Sequence, residues 1–112
     1  MEHSGMLLEA ENLVNIGHFE EAFDKFMALE SGTYGATYLR ACQMALSNQL
    51  KKTQLTELFE ALEKEVCRNN AHAMFNYGCI KAHLKEVGPA RELLAQASKM
   101  GITSAGNLLQ RI

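Results

Sequence analysis

The chain has 112 residues, 47% apolar and 21% charged, with a net charge of −2, a size at which one domain buries a core without disulfide or metal staples. No apolar run approaches the ~20 residues of a membrane span, and the opening Met1-Glu2-His3-Ser4-Gly5 lacks the basic start and apolar stretch of a signal peptide. A membrane-embedded or exported chain is not expected, and a cytoplasmic address is.

Seven helices and no strand are predicted. The first covers 4–16, where Met6, Leu7, Ala10, Leu13 and Val14 follow a helical rhythm up to Gly17. Phe19 opens the second, which turns Ala22, Phe23, Phe26, Met27 and Leu29 inward. Ser31-Gly32-Thr33 is a stop, with Gly32 suited to a left-handed C-cap. The third helix spans Tyr34–Leu46 and breaks at Ser47-Asn48-Gln49. Thr53 or Thr56 is the expected N-cap of the fourth, with Leu55, Leu58, Phe59, Leu62 and Val66 as its apolar stripe. After the turn-prone Arg68-Asn69-Asn70, the fifth runs over Ala71–Leu84. Gly88 is expected to end an element, and Pro89 to stand first in the sixth helix, which closes at Gly101. Thr103 or Ser104 caps a seventh that ends at Ile112.

The helices repeat. Ala22, Phe26 and Leu29 align with Leu55, Phe59 and Leu62, and these with Ala90, Leu94 and Ala97, at steps of 33 and 35 residues. A second ladder carries Ala36, Tyr38, Ala41, Cys42 and Ala45 onto Ala73, Phe75, Gly78, Cys79 and Ala82, 37 residues on. A period in this range with two helices per unit indicates an all-α solenoid of about three and a half antiparallel helix pairs in a single domain, residues 1–112. Ala22, Ala41, Gly78, Ala90 and Ala97 are the expected points of close helix approach, with Phe26, Phe59 and Leu94 filling the spaces between.

Charge is unevenly spread. Residues 1–30 hold seven acids against Lys25 alone, whereas from Arg40 onward ten basic residues face six acids. This is read as an acidic solvated face, the alternative being a charged end that orients a partner or a second copy head to tail. The basic residues alternate with acids and build no continuous stripe, so nucleic acid is not an expected partner.

Gly17-His18-Phe19-Glu20-Glu21-Ala22-Phe23-Asp24-Lys25-Phe26 resembles the core of the tetratricopeptide motif, and Ala71-His72-Ala73-Met74-Phe75-Asn76-Tyr77-Gly78 is similar to the opening of a Sel1-like unit. Ala90 through Ala97, with Gly101 and Ala105, resembles the closing of such a unit and the start of another, so the likeness covers 6–112. Leu55 stands where the family prefers alanine, and the proline usual at the end of a tetratricopeptide unit is missing. The resemblance implies a right-handed superhelix whose first helix in each pair lines a concave face. Carried over by alignment, the groove positions are Tyr38, Leu39 and Cys42; His72, Phe75, Asn76, Cys79 and His83; and Asn107, Leu108 and Arg111. Tyr38 and Phe75 can equally be core residues between stacked units.

An apolar groove with a few amide and imidazole groups suits an amphipathic helix or an extended peptide. The expected function is therefore a protein–protein interaction module, an adaptor or small chaperone, and not an enzyme. By analogy alone, small secretion-system chaperones are one version of it. A self-associating structural subunit, a homodimer pairing through Leu108, Leu109 and Ile112 of the C-terminal helix, is the alternative.

Chemistry has one candidate constellation. His72, Cys79 and His83 share a helix face, and Cys79 and His83 have the i, i+4 spacing at which two ligands meet one metal ion. Against it, Cys42 occupies the same repeat slot as Cys79, which small-residue packing explains, and no Cys-x-x-Cys exists. A thiol nucleophile at Cys79 would lack an oxyanion hole. No cofactor or metal is expected, and three cysteines in helices read as reduced thiols.

Overall fold

Helical periodicity becomes seven helices: α1 (Glu2–Asn15), α2 (Phe19–Leu29), α3 (Ala36–Leu46), α4 (Lys52–Cys67), α5 (Ala71–His83), α6 (Val87–Lys99) and α7 (Thr103–Leu109). The computed structural model describes residues 2–29 and 36–112, and of 2–4, 6 and 36–38 the backbone only. Among the described residues there is no strand. The expected stop at Ser31-Gly32-Thr33 and the start at Tyr34 lie outside the described residues, as do the side chains of Met6, Ala36 and Tyr38.

One local device ends five of these helices. Gly17, Asn48, Asn69, Lys85 and Gly101 all take positive φ, between 58° and 103°. Each sits in a Schellman turn, where its N–H and the next one reach back to two orphan carbonyls. At the end of α1, Gly17 N–H donates to the Val14 carbonyl at 3.1 Å and His18 N–H to that of Leu13 at 2.8 Å. At the end of α5, Lys85 N–H reaches Ala82 at 3.0 Å and Glu86 N–H reaches Lys81 at 2.9 Å. Gly17 and Gly101 act as the terminators expected of them.

Gly88 does not. Lys85 closes α5, so Gly88 and Pro89 both fall in the first turn of α6. Proline fits there because none of the first N–H groups of a helix has an intrahelical partner. The fourth helix also starts differently, since α4 begins at Lys52 with Thr53 and Thr56 already inside it. Its first turn is closed by Gln54, whose Oε1 accepts the Lys51 N–H at 3.2 Å, the backward half of a capping box. Asn70 caps α5, accepting the Ala73 N–H on its side-chain oxygen at 3.1 Å. The last helix stops at Leu109, short of the expected Ile112.

Contacts divide the chain within α4 into two compact units, Met1–Leu58 and Phe59–Ile112. In unit 1, α1 packs on α2 and α2 on α3. Ala10, Ala22, Phe23, Phe26 and Ala41 are fully buried there, and each phenylalanine contributes on the order of 1.5–3 kcal/mol by leaving water. In unit 2, α5 packs on α6 and α6 on α7, around Met74, Leu94, Ala97 and Ala105.

The expected small-residue positions are where helices meet. Ala22, Ala41, Ala90 and Ala97 have no exposed surface. At Gly78 a Cβ would lie 2.9 Å from both Cγ and Cδ2 of Leu94, closer than carbon atoms pack, so only glycine permits this approach of α5 to α6. Leu108, Leu109 and Ile112, the residues offered for pairing two copies, are half-buried against the core of unit 2.

Candidate functional site

The ten groove candidates divide between the units. Unit 1 carries Tyr38, Leu39 and Cys42, and unit 2 the other seven. The Tyr38 side chain lies outside the described residues. Leu39 is exposed, at 43%.

Cys42 is not a lining residue: it is 1% exposed, on the same buried face of α3 as Ala41 and Ala45. The stripe that docks α3 into unit 1 is wide enough to include it, and a small apolar thiol suits that position.

Unit 2 gathers five candidates on α5. Helical spacing puts Ala73, Met74, Tyr77, Gly78 and Ile80 into the core and leaves His72, Asn76, Cys79 and His83 on the other side, at i, i+4, i+7 and i+11. His72 and His83 are exposed, whereas Asn76 and Cys79 are half-buried. Asn76 Nδ2 donates to the His72 carbonyl at 3.0 Å, which holds the amide along the helix. Phe75 lies at the edge, half-buried against the Met74–Leu94–Ala97–Ala105 cluster. It serves the core first and any partner second. Asn107 on α7 and Arg111 beyond its end are exposed.

A tightly coupled group supports α5 from inside unit 2. The Tyr77 and Phe59 rings lie 5.3 Å apart at 39°. The Lys81 ammonium sits over both, 4.9 Å from the Phe59 centroid and 5.3 Å from that of Tyr77, and pairs with Glu86 at 3.3 Å. Tyr77 Oη donates to Glu63 Oε1 at 2.9 Å. Burial first, then that hydrogen bond and the charges of Glu63 and Glu86, push the Tyr77 hydroxyl well above the ordinary tyrosine range. The phenol stays protonated and the clamp stays closed.

Burial also pushes the Cys79 thiol up. A nucleophilic cysteine needs a shift in the other direction. Among the described residues no group of three or more His, Cys, Asp or Glu side chains has the arrangement to hold a metal ion.

Sequence reasoning missed the largest open cleft, which has room for about 590 Å³ in unit 1, between Gly17-His18-Phe19 and the Gln49–Gln54 stretch. Its floor is Gln54, 5% exposed. Gln54 Nε2 donates to the Glu20 carbonyl at 3.0 Å and to Asp24 Oδ1 at 3.4 Å. The Lys51–Glu20 pair at 2.6 Å spans the rim. The readable signal was a glutamine three residues into a helix, a capping position that also points back toward the preceding loop.

No helix among the described residues is long and apolar enough to cross a membrane. Comparison of the chain with protein-family models, with curated proteins and with solved structures returns no match.

Proposed function

We propose that the chain is a protein–protein interaction module, an adaptor or small chaperone of the cytoplasm, that holds a helical or extended segment of another protein against α5. The supporting observation is the outward strip His72–Asn76–Cys79–His83, which contains no Asp, Glu, Lys or Arg, on a helix whose other face is locked by Gly78 and the Tyr77–Glu63 bond. Helix-in-groove and extended-peptide recognition both need a rigid, uncharged, half-exposed surface of this kind. In this reading the seven helices form a tetratricopeptide- or Sel1-like α-solenoid of about three and a half antiparallel pairs, wound right-handedly. The neighbour-to-neighbour packing of α1, α2 and α3, and of α5, α6 and α7, supports it. A raised Cys79 thiol speaks for binding rather than catalysis.

The test starts from peptides selected from a displayed library on the immobilised chain. Their affinity is then measured for the parent and for a His72→Glu/His83→Glu variant. Both histidines are exposed, so the fold should be preserved, and a loss of tenfold or more is expected. Unchanged affinity would refute the assignment of the face.

A further inference from the structure

Helix α1 buries Ala10 fully and Leu7, Leu13 and Val14 partly. Its opposite side is unusual, because two large aliphatic residues stand in solvent there, Leu8 at 62% and Ile16 at 66% exposure. Ile16 follows the last residue of α1, yet its N–H still bonds the Asn12 carbonyl at 3.1 Å, so it continues the helical turn. Leu8, Asn12 and Ile16 therefore form one i, i+4, i+8 ridge, with exposed Asn15 beside it. Gly5, one turn before Leu8, leaves open space where a side chain would stand.

That ridge is its own complement. When two copies cross antiparallel about Asn12, Leu8 of each meets Ile16 of the other and Asn12 meets Asn12. The amides, each with donor and acceptor, can bond across the two-fold axis, as a buried asparagine does when it fixes the register of paired helices. Glu9 then lies opposite Asn15, so the register brings no two carboxylates together.

Electrostatics favour a second copy over a basic partner. The acids flanking the ridge are already compensated within unit 1: Glu9 by Lys25 at 3.2 Å and Glu11 by Arg40 at 2.6 Å. Arg40 is bidentate, its Nη2 reaching Glu11 Oε2 at 3.0 Å. A basic partner would gain little from carboxylates engaged in this way, whereas a like chain meets no net repulsion from them.

We propose that the Leu8–Asn12–Ile16 ridge is the contact of an isologous homodimer, in which α1 packs antiparallel on α1 of a second copy. Ridges of the i±4 kind pack at a crossing angle of about −50°, so the contact centres on Asn12 and is small. An interface below about 1,200 Å² gives a weak, reversible dimer, with half-dimerisation on the order of 100 µM.

Site-specific cross-linking tests this directly, because one residue faces its own copy. In a Cys67→Ser background, which removes the exposed native thiol, Asn12→Cys should give a covalent dimer on mild oxidation at 100 µM. The exposed control Asn107→Cys should react at least tenfold more slowly. Sedimentation equilibrium from 5 to 500 µM supplies the second readout. The parent should shift toward dimer, and Leu8→Glu or Ile16→Lys alone should stay monomeric. Leu8→Glu/Ile16→Lys should regain a salt-sensitive dimer, since the register pairs the new charges. A parent that stays monomeric at 500 µM overturns the proposal. So does Asn12→Cys cross-linking no faster than the control, or a dimer that survives Leu8→Glu.

Discussion

Unit 1 surrounds its core of Ala22, Phe23, Phe26 and Ala41 with ion pairs, Glu9–Lys25, Glu11–Arg40 and Glu20–Lys51, and with the buried amide of Gln54. Unit 2 relies on close approach, with glycine at position 78 against Leu94, and on the Phe59–Tyr77–Lys81 stack tied to Glu63 and Glu86. The repeat slots correspond while the chemistry around them differs. A repeat therefore constrains side-chain volume at the helix crossings and leaves the periphery free to use charge in one unit and aromatic packing in the other. The magnitudes agree, because overpacking a crossing costs about 1–3 kcal/mol and an exposed ion pair contributes about 0–1 kcal/mol.

The largest expected effect comes from the crossings themselves. Gly78→Leu should lower stability by about 1–3 kcal/mol in urea denaturation, because Leu94 is fully buried and cannot yield. Ala41→Leu should do the same in unit 1. If one of the pair is tolerated and the other is not, the correspondence of the slots fails. Next is Gln54→Ala, which strips a partner from the Lys51 N–H and the Glu20 carbonyl and should cost about 1–2 kcal/mol.

Tyr77→Phe should cost about 1 kcal/mol at pH 7 by removing the bond to Glu63. Its pH dependence separates it from a mere packing change. The folded-state pKa of Tyr77 is raised, so the stability this implies is fully present below the unfolded value of about 10 and is lost as pH rises beyond it. The parent should therefore weaken by about 1.4 kcal/mol per pH unit above 10 relative to Tyr77→Phe, and the two denaturation curves should converge. A gap independent of pH up to 11 would contradict the buried, hydrogen-bonded hydroxyl.

The smallest effect belongs to Arg40→Met. Its ion pair with Glu11 is part-exposed, at 30% and 35%, and removing it should cost at most about 1 kcal/mol, a difference that shrinks in 1 M salt.

The helices and crossings were readable because small residues recur with the repeat period, which is a statement about volume. The terminators were readable only where glycine supplied positive φ, at Gly17 and Gly101. Lys85 reaches φ 67° without being a turn residue, since the two backbone bonds of its Schellman turn compensate part of the ~1–2 kcal/mol that an L residue loses there. Gly88, an apparent terminator, was a distraction for the same reason. Cys42 and Cys79 show the other limit. They share a repeat slot, yet one is 1% exposed and the other half-buried. A repeat says which residues correspond, but how far each is covered depends on the neighbouring helix. The cleft above Gln54 escaped notice because it joins two stretches about 30 residues apart that no periodicity connects.

The central claim is that α5 presents a binding face, and backbone amide chemical shifts measured during titration with a selected peptide test it most directly. Saturable shifts clustered at His72, Asn76, Cys79 and His83 are expected, with Tyr77 and Gly78 little changed. Shifts concentrated elsewhere, or none for a peptide that binds, would contradict it.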